Sequence, residues 1–495
     1  MDSQQPCPRL SLRALPGLPT SVARPAYDVE HTRIGIVHIG AGAFHRAHQA
    51  VYMDDLLAQH PDWAICGVSL HSHEVRHALQ PQDGLYTLAL LGQTHRLRVI
   101  GAIREWLCAS ENPSVVLSRL ATPAVRLVTL TVTEKGYCLS GDGLDVTHPD
   151  IVHDLASPFS PRSAVGYVTA GLHRRWQEGI APYTVLSCDN LAANGHRLRR
   201  AVLEFAGRLD PSFTAWIEAN VAFPCSMVDS ITPATDDVLR ERVRNELGFE
   251  DAWPIQREEY TQWVVEDRFC NDRPPFEQVG VTLSADIAGY DRAKLRLLNG
   301  AHSSLAYLGS LMELDSVGDA MATPALAGFV ERLMREHIAP AIVLPEGMEV
   351  KGYIGAILDR FRNQAIRHRL SQIAWDGSQK LPVRLLSTLA ESMALGRDID
   401  ALCLPIAAWM HFVRRQAARG VALVDPMNEA LTKVGLACVG DAVSDVAAFL
   451  ALDAVFTTLS AEPRFVGTLE RAYAALGDGS PQAVLGALTA AMTNE

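Results

Sequence analysis

Three residues on one short stretch have the types needed to move a proton to or from a carbonyl or hydroxyl oxygen. They are Lys294, Asn299 and His302, within Tyr290-Asp291-Arg292-Ala293-Lys294-Leu295-Arg296-Leu297-Leu298-Asn299-Gly300-Ala301-His302. At the angular step of an α-helix they fall within an arc of about 140° on one side. Burial disfavours a charged ammonium, so a lysine drawn out of water becomes a competent acid and base near neutral pH. An amide and an imidazole beside it can hold and polarise the reacting oxygen. By spacing alone, a solvated helix face carrying one packed histidine is the commoner outcome of such a pattern.

A second stretch, Gly40-Ala41-Gly42-Ala43-Phe44-His45-Arg46-Ala47-His48, has the chemistry of a phosphate cradle. Gly40 permits a tight turn, and Gly42 lets bare backbone approach a pyrophosphate at a helix N-terminus. The third glycine of the dinucleotide fingerprint is replaced by His45, and a bare G-x-G is weak by itself. Further on, Glu74 stands where a carboxylate could accept from an adenosine ribose 2′-hydroxyl and repel a 2′-phosphate. That favours NAD, with NADP left open; a solvated loop carboxylate beside His71 and His73 explains Glu74 equally well.

These residues need elements to hold them. Ile34–Ile39 is an apolar run suited to a buried parallel strand, followed by a helix from about 45 to 59 and a second strand at 63–68, which makes one βαβ unit. Strand-like runs at 97–100, 125–132 and 184–187 alternate with helical stretches at 164–178 and 196–209. Residues 1 to about 30 read as an irregular arm. After a short strand-like piece near 279–283 the text changes, and alanine- and leucine-rich periodic segments dominate: 291–311, 324–337, 350–361, 383–396, 400–418 and 440–452. The expected architecture is an α/β Rossmann-type dinucleotide-binding domain over 1–285 and a mostly α-helical substrate and catalytic domain over 286–495.

With 495 residues, two cores are expected. The balance of 44 basic against 56 acidic residues, net −12, offers no general field for nucleic acid or an anionic membrane. An anionic small substrate would need a local cluster of cations. The nine cysteines are scattered and contain no C-x-x-C pair, so neither a disulfide framework nor a cysteine-type zinc site is expected. His38, His45 and His48 lack partners for a closed zinc set, so no metal is expected. No signal-like or membrane-length apolar run is present, which suggests a cytoplasmic protein, a monomer or small homo-oligomer.

Lys294-x4-Asn299-x2-His302, together with Gly40-x-Gly42-x-Phe44-x-Arg46-Ala47-His48, resembles the polyol-specific long-chain dehydrogenases, the family of mannitol 2-dehydrogenase and fructuronate reductase. The likeness extends through Thr131–Cys138, Ser187–Asn190, Phe223–Asp229, Gln262–Asp267 and Asp376–Pro382. It implies Lys294 as general acid/base and Asn299 and His302 as holders of the reacting oxygen. It implies substrate contacts from Asn190, Asp229 and Lys380, carboxylates near a proton path at Glu134 and Asp291, and a dinucleotide held at Gly40, Gly42, Phe44 and Arg46. Asp291 stands where glutamate is more usual, His73 where an acidic neighbour of Glu74 is expected, and Ser230 where arginine often follows the aspartate.

The segment Arg367-His368-Arg369 before Gln379-Lys380-Leu381-Pro382 resembles the fructuronate reductase branch. Two guanidinium groups there would suit a sugar-acid carboxylate, although both could be surface charges on a turn. The expected substrate is a keto-sugar acid and its hydroxy acid, with a polyol and ketose pair as the alternative. Tyr290-x3-Lys294 also fits the Tyr–Lys spacing of short-chain dehydrogenases, but that family keeps its tyrosine much closer to the glycine turn. A binder of dinucleotide without turnover is the remaining class.

Overall fold

A computed structural model describes residues 7–92, 94–141 and 143–493. It divides into two compact units, Met1–Ala288 and Gly289–Glu495. The first six residues of the N-terminal arm lie outside the described residues.

The N-terminal unit is built on five parallel strands: β1 (Ile34–Ile39), β2 (Ala64–Ser69), β3 (Ile103–Cys108), β4 (Leu127–Leu130) and β5 (Thr184–Ser187). Their order is β3-β2-β1-β4-β5. The central strands are buried almost throughout, which is why they read as continuous apolar runs and not as alternation. Strand order reverses beside β1, and the carboxyl ends of β1 and β4 there form the switch point at which open α/β sheets bind ligands. The helix Ala164–Glu178 has the expected limits for local reasons. Ser163 Oγ accepts from the Gly166 amide at 2.9 Å, and Gly179 ends the helix at φ +67°.

Other parts of this unit depart from the sequence expectation. The single helix expected over 45–59 is two short ones, Ala43–Ala47 and Gln49–Leu56, broken at His48 (φ −121°, ψ −89°). The His48 Nε2 donates to the Gln262 carbonyl at 3.0 Å, so a contact from a distant strand accompanies the break. The run near 97–100 is a strand, Arg96–Ile100, yet it lies outside the parallel sheet. It pairs antiparallel with Tyr86–Leu91, which also pairs with Ile255–Glu258. Ser226–Asp229, Gln262–Glu266 and Thr282–Ser284 form a third small sheet. The arm is irregular but docked: Leu10, Ala14, Leu18 and Val22 are buried in a cluster with Leu97, Val99 and Val243.

The C-terminal unit is helical. Asn299–Leu311 and Asp400–Ala418 pack together at its centre, and the helices Asn428–Ala437, Pro463–Ala475 and Pro481–Thr493 add to those read from periodicity. No single helix among the described residues is long and apolar enough to cross a membrane. All nine cysteines are free.

Candidate active site

The glycine turn sits at the carboxyl end of β1. Gly40 adopts φ +90°, and a Cβ there would lie 2.2 Å from the Thr131 carbonyl oxygen, so only glycine fits. Gly42 is exposed, and the one atom a Cβ would approach is the Gly40 oxygen at 3.7 Å. The backbone at 42 is therefore bare toward open space, as close approach of a pyrophosphate requires. Thr131 Oγ1 donates to the Gly40 carbonyl at 2.8 Å and accepts from His38 Nε2 at 2.8 Å, which leaves Nδ1 of His38 to accept from Thr129 Oγ1 at 2.7 Å. Burial pushes His38 down to about 3, so it is neutral.

His45 replaces the third fingerprint glycine by a different packing solution. Its ring lies flat on His38, centroids 3.3 Å apart and planes 12° from parallel, so helix and strand still approach closely. Phe44 is half-buried and stacks on His48. Arg46 corrects the expectation attached to it. Its guanidinium is fully buried, donates to the Trp253 carbonyl at 2.8 Å and lies over the rings of Tyr86 and Trp253. It braces the core beneath the turn. Glu74 is exposed and opens the helix Glu74–Leu79 just past β2.

Two more candidates stand at the carboxyl ends of neighbouring strands. Glu134 follows β4 in an exposed turn, and exposed Asn190 follows β5. Asp189, which the sequence reading did not single out, ties these loops together. Its carboxylate accepts from the Val132 and Thr133 amides at 3.0 and 2.9 Å and from Tyr137 Oη at 2.6 Å. Thr133 is thereby held at φ +65°, unusual for a β-branched residue. Asp229, buried, ends the strand Ser226–Asp229. Asn194 links that strand to the Asn190 loop, donating to the Asp189 and Ser226 carbonyls and accepting from the Ser226 amide. A ligand-type trio also occurs among the described residues: His196, Cys225 and Glu266 bring donor atoms within 4.8 Å of one another. Glu266 there already accepts from the Cys225 amide at 2.8 Å.

In the C-terminal unit, Lys294 opens a π-helical turn, Lys294–Leu298, that runs into the helix Asn299–Leu311. The Asn299 amide donates to the Lys294 carbonyl, five residues back. The uniform α-helical step assumed from sequence therefore does not hold between Lys294 and Asn299, and π-turns of this kind recur at functional sites. Lys294 and His302 are buried, Asn299 half-buried. His302 rests against Phe361 and His368, centroids 4.5 and 5.2 Å away. Its Nε2 is buried with no hydrogen-bond partner. Burial, then the charges of His368, Arg360 and Arg384, holds His302 far below its usual range, so the ring is neutral. Burial raises Asp291 from 3.8 to about 6, against the pull of nearby Lys294.

Lys380 lies in the turn Gly377–Leu381, near the Ile373 carbonyl (3.4 Å) and Asp376 (3.9 Å); burial, with Arg384, lowers its basicity. Gly377 is required here, since a Cβ would lie 2.5 Å from Trp409 Nε1 and 2.7 Å from Tyr307 Oη. Arg367 and Arg369 are corrected by their placement. The chain alternates at 366–370, so Ile366 and Leu370 are buried and His368 reaches His302, while both arginines are exposed. Arg367 pairs with Asp315 at 2.8 Å. The cations beside His302 are Arg360 and Arg384, which no sequence motif had marked.

A parallel α/β domain with a glycine turn at its switch point, joined to a helical domain presenting a lysine, an asparagine and a neutral histidine, defines an NAD(P)-dependent dehydrogenase of secondary alcohols. The chain belongs to the mannitol dehydrogenase family: residues 34–278 match the mannitol dehydrogenase Rossmann domain and residues 286–477 the mannitol dehydrogenase C-terminal domain. It is 39% identical to D-mannonate oxidoreductase of Escherichia coli (strain K12) over 482 residues, covering 94% of this chain and 98% of that one. It is 40% identical over 411 residues to a mannitol 2-dehydrogenase of Aspergillus fumigatus, covering 80% and 82%. The solved ternary complex of Pseudomonas fluorescens mannitol 2-dehydrogenase with NAD and D-mannitol superposes with a TM-score of 0.79 at 38% identity, covering 98% of this chain and 100% of that one.

Proposed function

We propose that this enzyme interconverts a keto-sugar acid and its hydroxy acid, of the D-fructuronate and D-mannonate type, with Lys294 as general acid/base. The observation that carries this reading is Arg384, a half-buried cation bonded to Ser303 Oγ beside the Asn299–Leu311 helix, with no carboxylate partner among the described residues, in a chain of net charge −12. A cation held in that way favours an anionic substrate. The near end-to-end similarity to a D-mannonate oxidoreductase supports it. A polyol and ketose pair is the second reading, supported by the similar identity to mannitol 2-dehydrogenases.

Gly40, Gly42 and Phe44 would hold the dinucleotide, and Glu74 would favour NAD over NADP. When bound, the nicotinamide supplies the hydride acceptor in oxidation and the hydride donor in reduction. Asn299 and His302 hold the reacting oxygen; a neutral imidazole can do so without adding another cation. Lys294 takes the proton from the hydroxyl in one direction and returns it in the other. The family resemblance implies substrate contacts from Asn190, Asp229 and Lys380 and a carboxylate near the proton path at Glu134. Asp291 relays the proton from Lys294 toward water. The deciding measurement is kcat/KM with NADH on D-fructuronate against D-fructose. A fructose value equal to or above that for fructuronate removes the acid reading in favour of the ketose.

The position of Asp291 gives a pH dependence with a definite sign. Its folded-state pKa is raised, so ionisation above about pH 6 carries a penalty that is absent in the unfolded chain. Below about pH 6 it cannot accept a proton, and alcohol oxidation should fall there. Asp291→Asn should flatten that limb of the pH–rate profile. The variant should also melt higher than the parent at pH 7, with the difference disappearing below pH 4, where the parent is protonated in both states. Superimposable profiles and melting curves would remove Asp291 from the relay.

A further inference from the structure

We infer that Arg384 is the carboxylate-binding subsite of this enzyme, the residue that distinguishes a sugar acid from a neutral sugar. The inference rests on the sugar-acid reading above and assigns it to one side chain. Arg384 lies in a second π-helical turn, Pro382–Leu386, packed against both Lys294–Leu298 and Asn299–Leu311. Gly300 makes that approach possible, because a Cβ there would already stand 3.1 Å from the Arg384 carbonyl oxygen. The glycine between Asn299 and His302 thus brings the backbone of Arg384 against the reacting helix.

The guanidinium is anchored at one end only. Its Nη1 donates to Ser303 Oγ at 3.1 Å and toward the Asn299 carbonyl at 3.4 Å. Among the described residues, Nε and Nη2 make no hydrogen bond and no carboxylate pairs with the group. Half-buried Arg98 is neutralised by Asp54 and Asp55 and buried Arg296 by Glu391, while fully buried Arg175, which has no carboxylate, donates through Nε, Nη1 and Nη2 to four backbone carbonyls. Arg367, the arginine a sequence motif would favour, is exposed and paired with Asp315.

A half-buried cation without a counter-charge is unfavourable, and its cost is offset when a ligand brings the anion. The two unbonded nitrogens form the edge of the guanidinium that accepts a carboxylate in bidentate fashion. Arg360 and Lys380 add positive potential without competing for that geometry. Ser303 and the Asn299 carbonyl fix the plane of the fork, so little freedom is lost when the anion arrives. The keto carbon and carboxylate stand at opposite ends of the substrate. The helix carrying Lys294, Asn299 and His302 would serve the first, and the adjoining turn the second.

The test compares Arg384→Gln and Arg384→Lys with the parent, using NADH with D-fructuronate and with D-fructose. Arg384→Gln should lower the fructuronate-to-fructose ratio of kcat/KM by about a hundredfold, mostly through KM, and Arg384→Lys should recover part of it. An unchanged ratio, whether from a parallel loss on both substrates or from no loss, overturns the subsite and leaves Arg384 a brace for Asn299. Melting temperature with NAD and either D-mannonate or D-mannitol separates this from failure of the sugar-acid reading. If the parent fails to reduce fructuronate, that reading falls. The subsite then stands only if D-mannonate still stabilises the parent and not Arg384→Gln; absence of that difference overturns it too.

Discussion

Lys294→Ala is expected to lower kcat by about a thousandfold while leaving dinucleotide affinity within about twofold. Acid–base assistance by a positioned side chain contributes on the order of 10²–10⁴ in rate, and in this reading no other group on the helix can replace it. His302 is held neutral by burial and surrounding cations and is a poor proton store near neutral pH. Asn299 does not titrate. The glycine turn lies in the other unit and its geometry depends on Thr131 and His38, so truncating Lys294 leaves it intact. The fold should tolerate the change as well. The π-turn is closed by the backbone bond from Asn299 to the Lys294 carbonyl, which alanine keeps. Removing a buried ammonium also relieves desolvation. Steady-state kinetics, titration of NADH fluorescence and thermal melting check the three parts. A kcat within tenfold of the parent would exclude Lys294 as the acid/base. Partial rescue by added primary amines would support it.

Asp189→Ala has the second large expected effect, on stability and on activity together. The carboxylate of Asp189 accepts two backbone amides and a tyrosine hydroxyl from the loop that follows β4. Hydrogen bonds to a charged group are each worth about 1.5–3 kcal/mol and are not additive, so a loss of roughly 3–5 kcal/mol is expected. Thr133 then has no reason to remain at φ +65°, and the turn bearing Glu134 should relax. Tyr137 keeps its bond to Ser187 Oγ, so β5 itself should persist. Asp189→Asn should fall between, since one oxygen can still accept while the amide nitrogen faces a donor. Urea unfolding gives the energy, and hydrogen exchange at the Val132 and Thr133 amides locates it. Variants within about 0.5 kcal/mol of the parent, with both amides still protected, would show that other bonds hold the loop.

Some of the active region was legible without coordinates because its signals are local. A buried parallel strand reads as an unbroken apolar run, a tight turn needs Gly40, and a helical half repeats its leucines and alanines. The blocks around Lys294, Asn190 and Asp229 carried the family resemblance in contiguous residues. The Asp189 tie was harder to see, since an aspartate after a strand is common and its partners lie 52–57 residues away. Arg46 and Arg367 depart from what their motifs imply for a related reason. Proximity to a motif in sequence says nothing about which way a side chain turns, and one faces Trp253 while the other faces Asp315.

The Lys294 helix shows where the division falls. Sequence alone determined the residue types available on it, the family, and the presence of one α/β and one helical domain. The domain classes follow from composition and periodicity over consecutive residues, and the family from the resemblance of contiguous motifs. Only the tertiary structure decided the π-turn between Lys294 and Asn299, the neutrality of His302 and the arrival of Arg384 beside Ser303. Each depends on packing between segments some 60–90 residues apart, where a glycine's missing Cβ or a neighbour's charge sets the outcome. Local patterning carries no record of such meetings.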